Sequence, residues 1–247
     1  MKKILLTLLI ISFSSIATAG KGATSVRLSL GYSDGLSFDS VEGDEFSTTL
    51  TNLGVYRAEL SKSKSNAFYG LGINYSQTDN LDYNFGVSRY NHTFADQNVQ
   101  LTEVATGNPN SHFFPEFDVR GYLFNLGLSY KFSKEEIEKV SYYAGIDALY
   151  FSGKMTNTNY NAASVIATGS FQGSDYGKGG TSNITLKGYM PKVGLIYPIN
   201  KKVKIGAEYG AMKFYDIDGG AMRSFMNGFT GDSGSANRVM AFVDYKF

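Results

Sequence analysis

The chain has 247 residues, a formal net charge of +1 and no cysteine. The lack of Cys excludes disulfides, thiolate metal sites and lipid attachment at an N-terminal Cys, and the near-neutral charge argues against a nucleic-acid partner. The length fits one domain, a size at which all-β barrels are common, and beyond the N-terminal leader no continuous apolar run is long enough for a membrane helix.

Met1-Lys2-Lys3 is a short basic start, Ile4 to Ile11 is almost wholly apolar, and Ala17-Thr18-Ala19 supplies a small-residue cleavage site. This reads as a secretory signal peptide over residues 1–19; the alternative, an N-terminal anchor helix, is poorly served by so short an apolar run. Removing the leader takes Lys2 and Lys3 and moves the formal charge to −1. Residues 20–247 then form a single domain.

Eight segments alternate with a period of two, the signature of strands with one apolar and one mixed face. The first, Thr24 to Tyr32, sends Val26, Leu28, Leu30 and Tyr32 outward, with Arg27, Ser29 and Gly31 inward. The second, Leu50 to Leu60, sends Tyr56, Ala58 and Leu60 outward, with Val55, Arg57 and Glu59 inward; the polar run 61–66 is a short turn. The third, Ala67 to Ser76, shows Tyr69, Leu71, Ile73 and Tyr75 outward. The fourth, Val119 to Tyr130, shows Tyr122, Phe124, Leu126, Leu128 and Tyr130, and the charged turn 134–139 follows. The fifth, Val140 to Phe151, shows Tyr142, Ala144, Ile146, Ala148 and Tyr150, with Gly145 and Asp147 inward. The sixth, Leu186 to Tyr197, shows Tyr189, Val193, Leu195 and Tyr197, and turns tightly at residues 198–201. The seventh, Val203 to Tyr215, shows Val203, Ile205, Ala207, Tyr209 and Ala211. The eighth, Val239 to Phe247, shows Val239, Ala241, Val243, Tyr245 and Phe247.

Leu71-Gly72-Ile73-Asn74-Tyr75, Leu126-Gly127-Leu128-Ser129-Tyr130 and Val193-Gly194-Leu195-Ile196-Tyr197 form a local repeat with Gly inward and Tyr outward near a strand end. That fits an interfacial aromatic girdle around a tightly filled interior. Short turns alternate with long loops at about 33–49, 77–118, 152–185 and 216–235, all rich in polar and small residues. Residues 83–94 of the second long loop suit a hairpin above the membrane. Pro191 interrupts the sixth strand, where it cannot donate a ladder bond, and marks a bulge or a break.

The leader, the amphipathic strands, the alternating loop lengths and the terminal Phe247 with Tyr245 and Val243 resemble the small outer-membrane β-barrels of the outer membrane protein A and X type. The resemblance implies a closed antiparallel eight-stranded transmembrane barrel in the bacterial outer membrane, long loops outside and short turns in the periplasm. Val243, Tyr245 and Phe247 resemble the signal read by the barrel assembly machinery, which together with periplasmic chaperones is an expected partner during biogenesis. The peptidoglycan-binding domain of some such proteins has no counterpart here. The expected state is a monomer among outer-membrane lipid and lipopolysaccharide, without cofactor or metal.

Eight strands enclose side chains but no wide channel, so inward charges must neutralise one another. Aligning the turn at residues 198–202 sets Lys192 opposite Glu208, and closing the barrel with level ends sets Arg27 near Asp244. The expected lumen network is Arg27, Arg57, Glu59, Asp147, Lys192, Glu208 and Asp244, structural or, alternatively, a gated ion path. The same register pairs Lys187 with Lys213 at the outward loop ends; with Arg120 and Lys154 these cations reach lipopolysaccharide phosphates or simply snorkel to water. Catalysis has weak support: His92 and His112 lie near Ser88 and Ser111 in a loop, and Asp216 and Asp218 flank a strand end, with no triad or metal-ligand spacing on a rigid element. Phe113, Phe114 and Phe117 form either a contact patch for a host or cell-surface ligand or the loop's own packing. The expected role is therefore structural or surface-interacting, the alternatives being a narrow channel or a lipid-A-directed enzyme.

Overall fold

The structure, a computed structural model, describes residues 22–38, 41–43, 56–58, 62–94, 99–103, 109–161, 181–218 and 233–247. The expected leader, residues 1–19, lies outside these residues, as does Glu59. Twelve strands are present among them: β1 (Ala23–Ser33), β2 (Ser37–Phe38), β3 (Val41–Gly43), β4 (Tyr56–Ala58), β5 (Asn66–Ser76), β6 (Leu81–Phe94), β7 (Val99–Glu103), β8 (Pro109–Lys131), β9 (Ser141–Asn161), β10 (Thr181–Pro198), β11 (Val203–Asp218) and β12 (Gly234–Lys246).

Eight of them make the wall, in the order β1, β5, β6, β8, β9, β10, β11, β12, each antiparallel to its neighbours. The wall closes where β12 meets β1, from Ser25↔Lys246 to Ser33↔Arg238. Closure leaves no strand edge open, the condition for carrying a sheet through hydrocarbon.

Side-chain alternation decides which face is which. Leu28, Leu30, Leu71, Leu126, Ile146, Val193, Ile205, Val239 and Val243 all stand exposed on the outer surface. Their neighbours in sequence, among them Asp147, Lys192, Arg238 and Asp244, are buried inside, as is Glu208 beside the exposed Tyr209. A soluble barrel would show the reverse. Tyrosines bracket this apolar belt: eight residues separate Tyr122 from Tyr130, Tyr142 from Tyr150 and Tyr189 from Tyr197. Eight steps span roughly 27 Å along a strand, or about 20 Å of height at a tilt of about 40°. This approaches the roughly 25 Å apolar band of an outer-membrane barrel, with aromatic girdles at both interfaces.

The second wall strand is not the one the alternation suggests. Within 50–60 only Tyr56–Ala58 is described, as β4, and it pairs with β3 and β7 rather than with the barrel. Together with the first residues of β8 these strands form a small sheet beyond the long-loop end of the wall. β5, expected third, takes the vacated second place beside β1, and the third is filled by β6, which pairs with β5 from Tyr69↔Arg89 to Ser76↔Asp82 and with β8 from Leu81↔Tyr130 to Phe94↔Phe117. Residues 61–66 are accordingly not the short turn. That turn is 77–80, where the Thr78 hydroxyl accepts the N–H groups of Asn80 and Leu81 at 3.2 and 3.0 Å.

The β10–β11 register also differs from the simple alignment. Gly194 faces Glu208, Lys192 faces Gly210, Tyr189 faces Lys213 and Lys187 faces Asp216. The hairpin pivots one residue later than expected, because Asn200 Oδ1 accepts both Lys202 N–H and Val203 N–H, at 2.8 and 2.9 Å, and stretches the turn over 199–202. From Pro198 to Gly188 the slip is two residues, so the side chains there keep their expected face; beyond the irregularity at Lys187/Gly188 it is three, which brings Asp216 rather than Lys213 opposite Lys187. Pro191 points outward and β10 runs through it unbroken, pairing it with Ile146 of β9. The β10–β11 ladder passes from Tyr189↔Lys213 to Lys192↔Gly210, and its register shift lies between Lys187 and Gly188 rather than at Pro191.

Candidate functional site

The lumen is filled in two layers. The lower layer, toward the short turns, is ionic. Arg27 Nε and Nη2 donate to the two oxygens of Asp244 at 2.7 and 2.9 Å, as the facing register Arg27↔Asp244 demands. Asp147 is fully buried and accepts from Asn84 Nδ2 and Asn125 Nδ2 at 2.9 Å each, with Lys192 Nζ at 2.7 Å. Glu208 accepts from Tyr143 OH at 2.8 Å and Arg238 Nη2 at 2.9 Å, and it lies 3.7 Å from both Lys192 Nζ and Arg27 Nη1. Asn74 Nδ2 adds a bond to Asp244 at 3.3 Å. Three cations face three carboxylates, so the layer is neutral and its charges are hydrogen-bonded, the condition under which buried ions are tolerated. The guanidinium of Arg27 also lies 3.6 Å above the Phe242 ring centroid.

Five of the seven expected lumen residues meet here: Arg27, Asp147, Lys192, Glu208 and Asp244. Lys192 reaches Glu208 diagonally, not as a facing pair. Arg57 does not join them, because β4 lies outside the wall, and Glu59 falls outside the described residues. Arg238, Tyr143, Asn125 and Asn84 were not singled out by sequence. The first three sit on inward positions of recognised strands or their continuation, so parity alone could have found them; Asn84 was hidden when β6 was read as a loop. The inward glycines of the local repeat now have a reason: a Cβ on Gly127 would lie 2.1 Å from Asp147 Oδ1, and one on Gly194 2.5 Å from the Tyr143 ring.

The upper layer is apolar, which charge reasoning did not anticipate. Phe68 stacks on Tyr90 with ring centroids 4.8 Å apart, Phe94 on Phe117 at 4.4 Å and Phe38 on Phe94 at 5.5 Å. Met190, Met212, Met240, Leu123, Leu149, Phe151 and Ile184 fill the remaining width. The ends of the first long connection dip into this mouth. Leu36 is buried, its N–H donates to Ser63 Oγ at 2.6 Å, and Ser63 Oγ lies 3.2 Å from His92 Nδ1. Asp34 fastens the same segment to β12 through the Asn237 N–H and Nδ2 at 2.7 and 2.9 Å. Phe117 thus belongs to the barrel's own packing; of Phe113 and His112 the structure gives only backbone pairing with β7, and of Phe114 only backbone pairing with β9.

Within the ionic layer lies a void of about 30 Å³, lined by Arg27, Asn74, Asn84, Asn125, Lys192 and Glu208 among others, room for a water or two. At the short-turn end Lys131 Nζ bridges Asp82 and Glu135 at 3.0 and 3.1 Å, and Lys204 pairs with Glu135 from the neighbouring turn. Closed wall, lipid-facing belt and filled interior are now defined. The chain folds as a small β-barrel of the outer-membrane type.

No family model and no curated protein matches the chain. Solved structures do. Neisserial surface protein A is 12% identical with a TM-score of 0.47, covering 92% of this chain and 100% of that one. A major outer membrane protein from Thermus thermophilus is 13% identical with a TM-score of 0.47, at the same coverage. The outer membrane protein OprG from Pseudomonas aeruginosa is 14% identical with a TM-score of 0.45, covering 92% and 96%. The closed ladder and the apolar belt, rather than these distant likenesses, define the molecule.

On the outside, Arg120, Lys154, Lys187 and Lys213 are exposed on the loop-end half of β8 to β11, as expected. Their pairings are not as expected. Lys187 Nζ donates to Asp216 Oδ2 at 2.5 Å, and Lys213 faces Tyr189. Arg120 faces Lys154 and donates to Asp118 at 2.5 Å. Arg89 of β6 joins them on the same outer face. Among the described residues no cluster of three or more His, Cys, Asp or Glu side chains is placed to hold a metal.

Proposed function

We propose that the protein is an integral outer-membrane barrel that acts as a sealed, rigid support for surface interaction, conducting no solute and catalysing no reaction. The filled lumen carries this reading: a neutral ionic layer below and a stacked aromatic and methionine layer above leave no continuous water path. β8 and β9, with 23 and 21 residues, run beyond the wall's belt, and β8 carries the small β3–β4–β7 sheet on the side where host or cell-surface ligands would be met. Outer-membrane lipid and lipopolysaccharide surround a monomer. Delivery to the barrel assembly machinery by periplasmic chaperones suits the end of β12, where Val243, Tyr245 and Phe247 are exposed and Phe247 N–H is bonded to Thr24 O at 3.1 Å.

The enzyme alternative finds little chemistry to use. His92 Nδ1 lies against Ser63 Oγ, and that hydroxyl accepts the Leu36 N–H beneath a buried cap. Asp216 is occupied by Lys187. The narrow-channel alternative draws on the polar lower layer but would have to dislodge the aromatic stack above it. Recording from purified protein in planar bilayers separates these readings: silence or rare brief openings fit a plugged barrel, and steady conductance removes it.

A further inference from the structure

Five outward cations, Arg89, Arg120, Lys154, Lys187 and Lys213, occupy five consecutive wall strands, β6, β8, β9, β10 and β11, all toward the long-loop end. They are not equivalent. Lys187 has its own carboxylate in Asp216. Arg120 and Lys154 instead face each other across β8 and β9, where side chains of like charge repel. One carboxylate lies beside them, Asp118, which also accepts from Thr93 Oγ1 at 2.6 Å. Lys154 has no ion pair among the described residues.

The strand ladders extend this pair into a row. Asn91 of β6 faces Arg120, and Asn183 of β10 faces Lys154. The sequence across four strands is therefore amide, guanidinium, ammonium, amide, with Arg89 two residues from Asn91 on the same face. Every member carries N–H donors, and Arg120 retains donors beyond the one used by Asp118. Below the row, Tyr122, Phe124, Leu126 and Leu128 descend β8 as an exposed apolar column, and Tyr150, Ala148 and Ile146 descend β9 beside it. Donors above and hydrocarbon-facing side chains below match an amphiphile, not a soluble anion.

We infer that Asn91, Arg120, Lys154 and Asn183, flanked by Arg89, seat the phosphate of an anionic lipid in the outer leaflet, its acyl chains lying along β8 and β9. The site rests on the outer-membrane reading and narrows its lipopolysaccharide contacts to one row, leaving Lys187 aside. Charge-assisted hydrogen bonds relieve the Arg120–Lys154 repulsion and are the strong kind.

The full-length mature protein in phosphatidylcholine nanodiscs, doped with diphosphoryl lipid A or with its dephosphorylated form, provides the test. Native mass spectrometry then counts retained lipid. The phosphorylated form should be retained in preference by the wild type, and millimolar inorganic phosphate should not displace it. Arg120→Gln with Lys154→Gln should cut retention at least roughly tenfold, the worth of one such hydrogen bond, whereas Lys187→Gln should leave it unchanged. Equal retention of the two lipids by the wild type, displacement by inorganic phosphate, or native retention by the double variant overturns the site. The wild-type comparison stands even if the double variant does not insert. Heat-modifiable migration of the same samples reports on the barrel itself, so a failed site and a failed barrel give different results.

Discussion

Asp147 is held by three donors on β6, β8 and β10 at once, and Lys192, its cation, is also buried. Removing one partner of a buried pair leaves the other uncompensated, so Asp147→Ala should lower stability by about 3–5 kcal/mol, read from urea unfolding in detergent micelles. Adding Lys192→Met should recover part of that loss. Gly127→Ala is the steric counterpart: with Asp147 Oδ1 only 2.1 Å from the new Cβ, overpacking should cost about 1–3 kcal/mol in the same assay. At this scale sequence parity was a strong guide. Arg27, Asp147, Lys192, Glu208 and Asp244 were legible because a charge on the inward side of an eight-stranded wall has nowhere to go but into a pair. The stacked aromatic layer was not legible, because inward Phe and Met residues look, in one dimension, like ordinary strand formers.

β6 and the segment 50–60 show what alternation cannot decide. Tyr56 and Ala58 alternate as a wall strand does, yet β4 pairs in the small outer sheet. β6 looks loop-like because Asn84, Gly86 and Ser88 are polar or small, and they are so because they face the lumen. A period of two reports that a strand has two faces, not whether lipid or water covers one of them. The two assignments part at single positions: Val87→Arg, on the lipid face of β6, should cost about 2–4 kcal/mol and impair insertion, while Ala58→Arg should leave heat-modifiable folding at wild-type level. The turn at residues 132–140 has its own signature in pH. Burial pushes the Glu135 carboxyl up, but Lys204 and Lys131 outweigh it and hold the group below its ordinary range. A carboxylate held low stabilises the fold at neutral pH and loses that contribution as pH falls through its folded value. Glu135→Gln should therefore melt below wild type at pH 7, with the difference vanishing once pH drops well below about 4.3.

At the scale of the molecule, closure and filling are one property. Eight strands leave a bore that side chains can plug, and on the proposed reading the ionic layer below and the rings above plug it and give the long connections a fixed base. Eight strands, their outward faces and both halves of the β1–β12 closure were legible because hydrocarbon imposes a single solution on a two-faced sheet. Which segment supplied the second and third places in the wall was not, since two candidate strands competed for adjacent positions. The native chain has no cysteine, so a single thiol can probe the interior without background. Leu149→Cys places it on β9 in the apolar layer, buried among the lumen side chains. In reconstituted bilayers a small water-soluble thiol reagent should fail to label this position until the protein is denatured. Rapid labelling in the native state would mean that water passes through the lumen, and the sealed barrel would be contradicted.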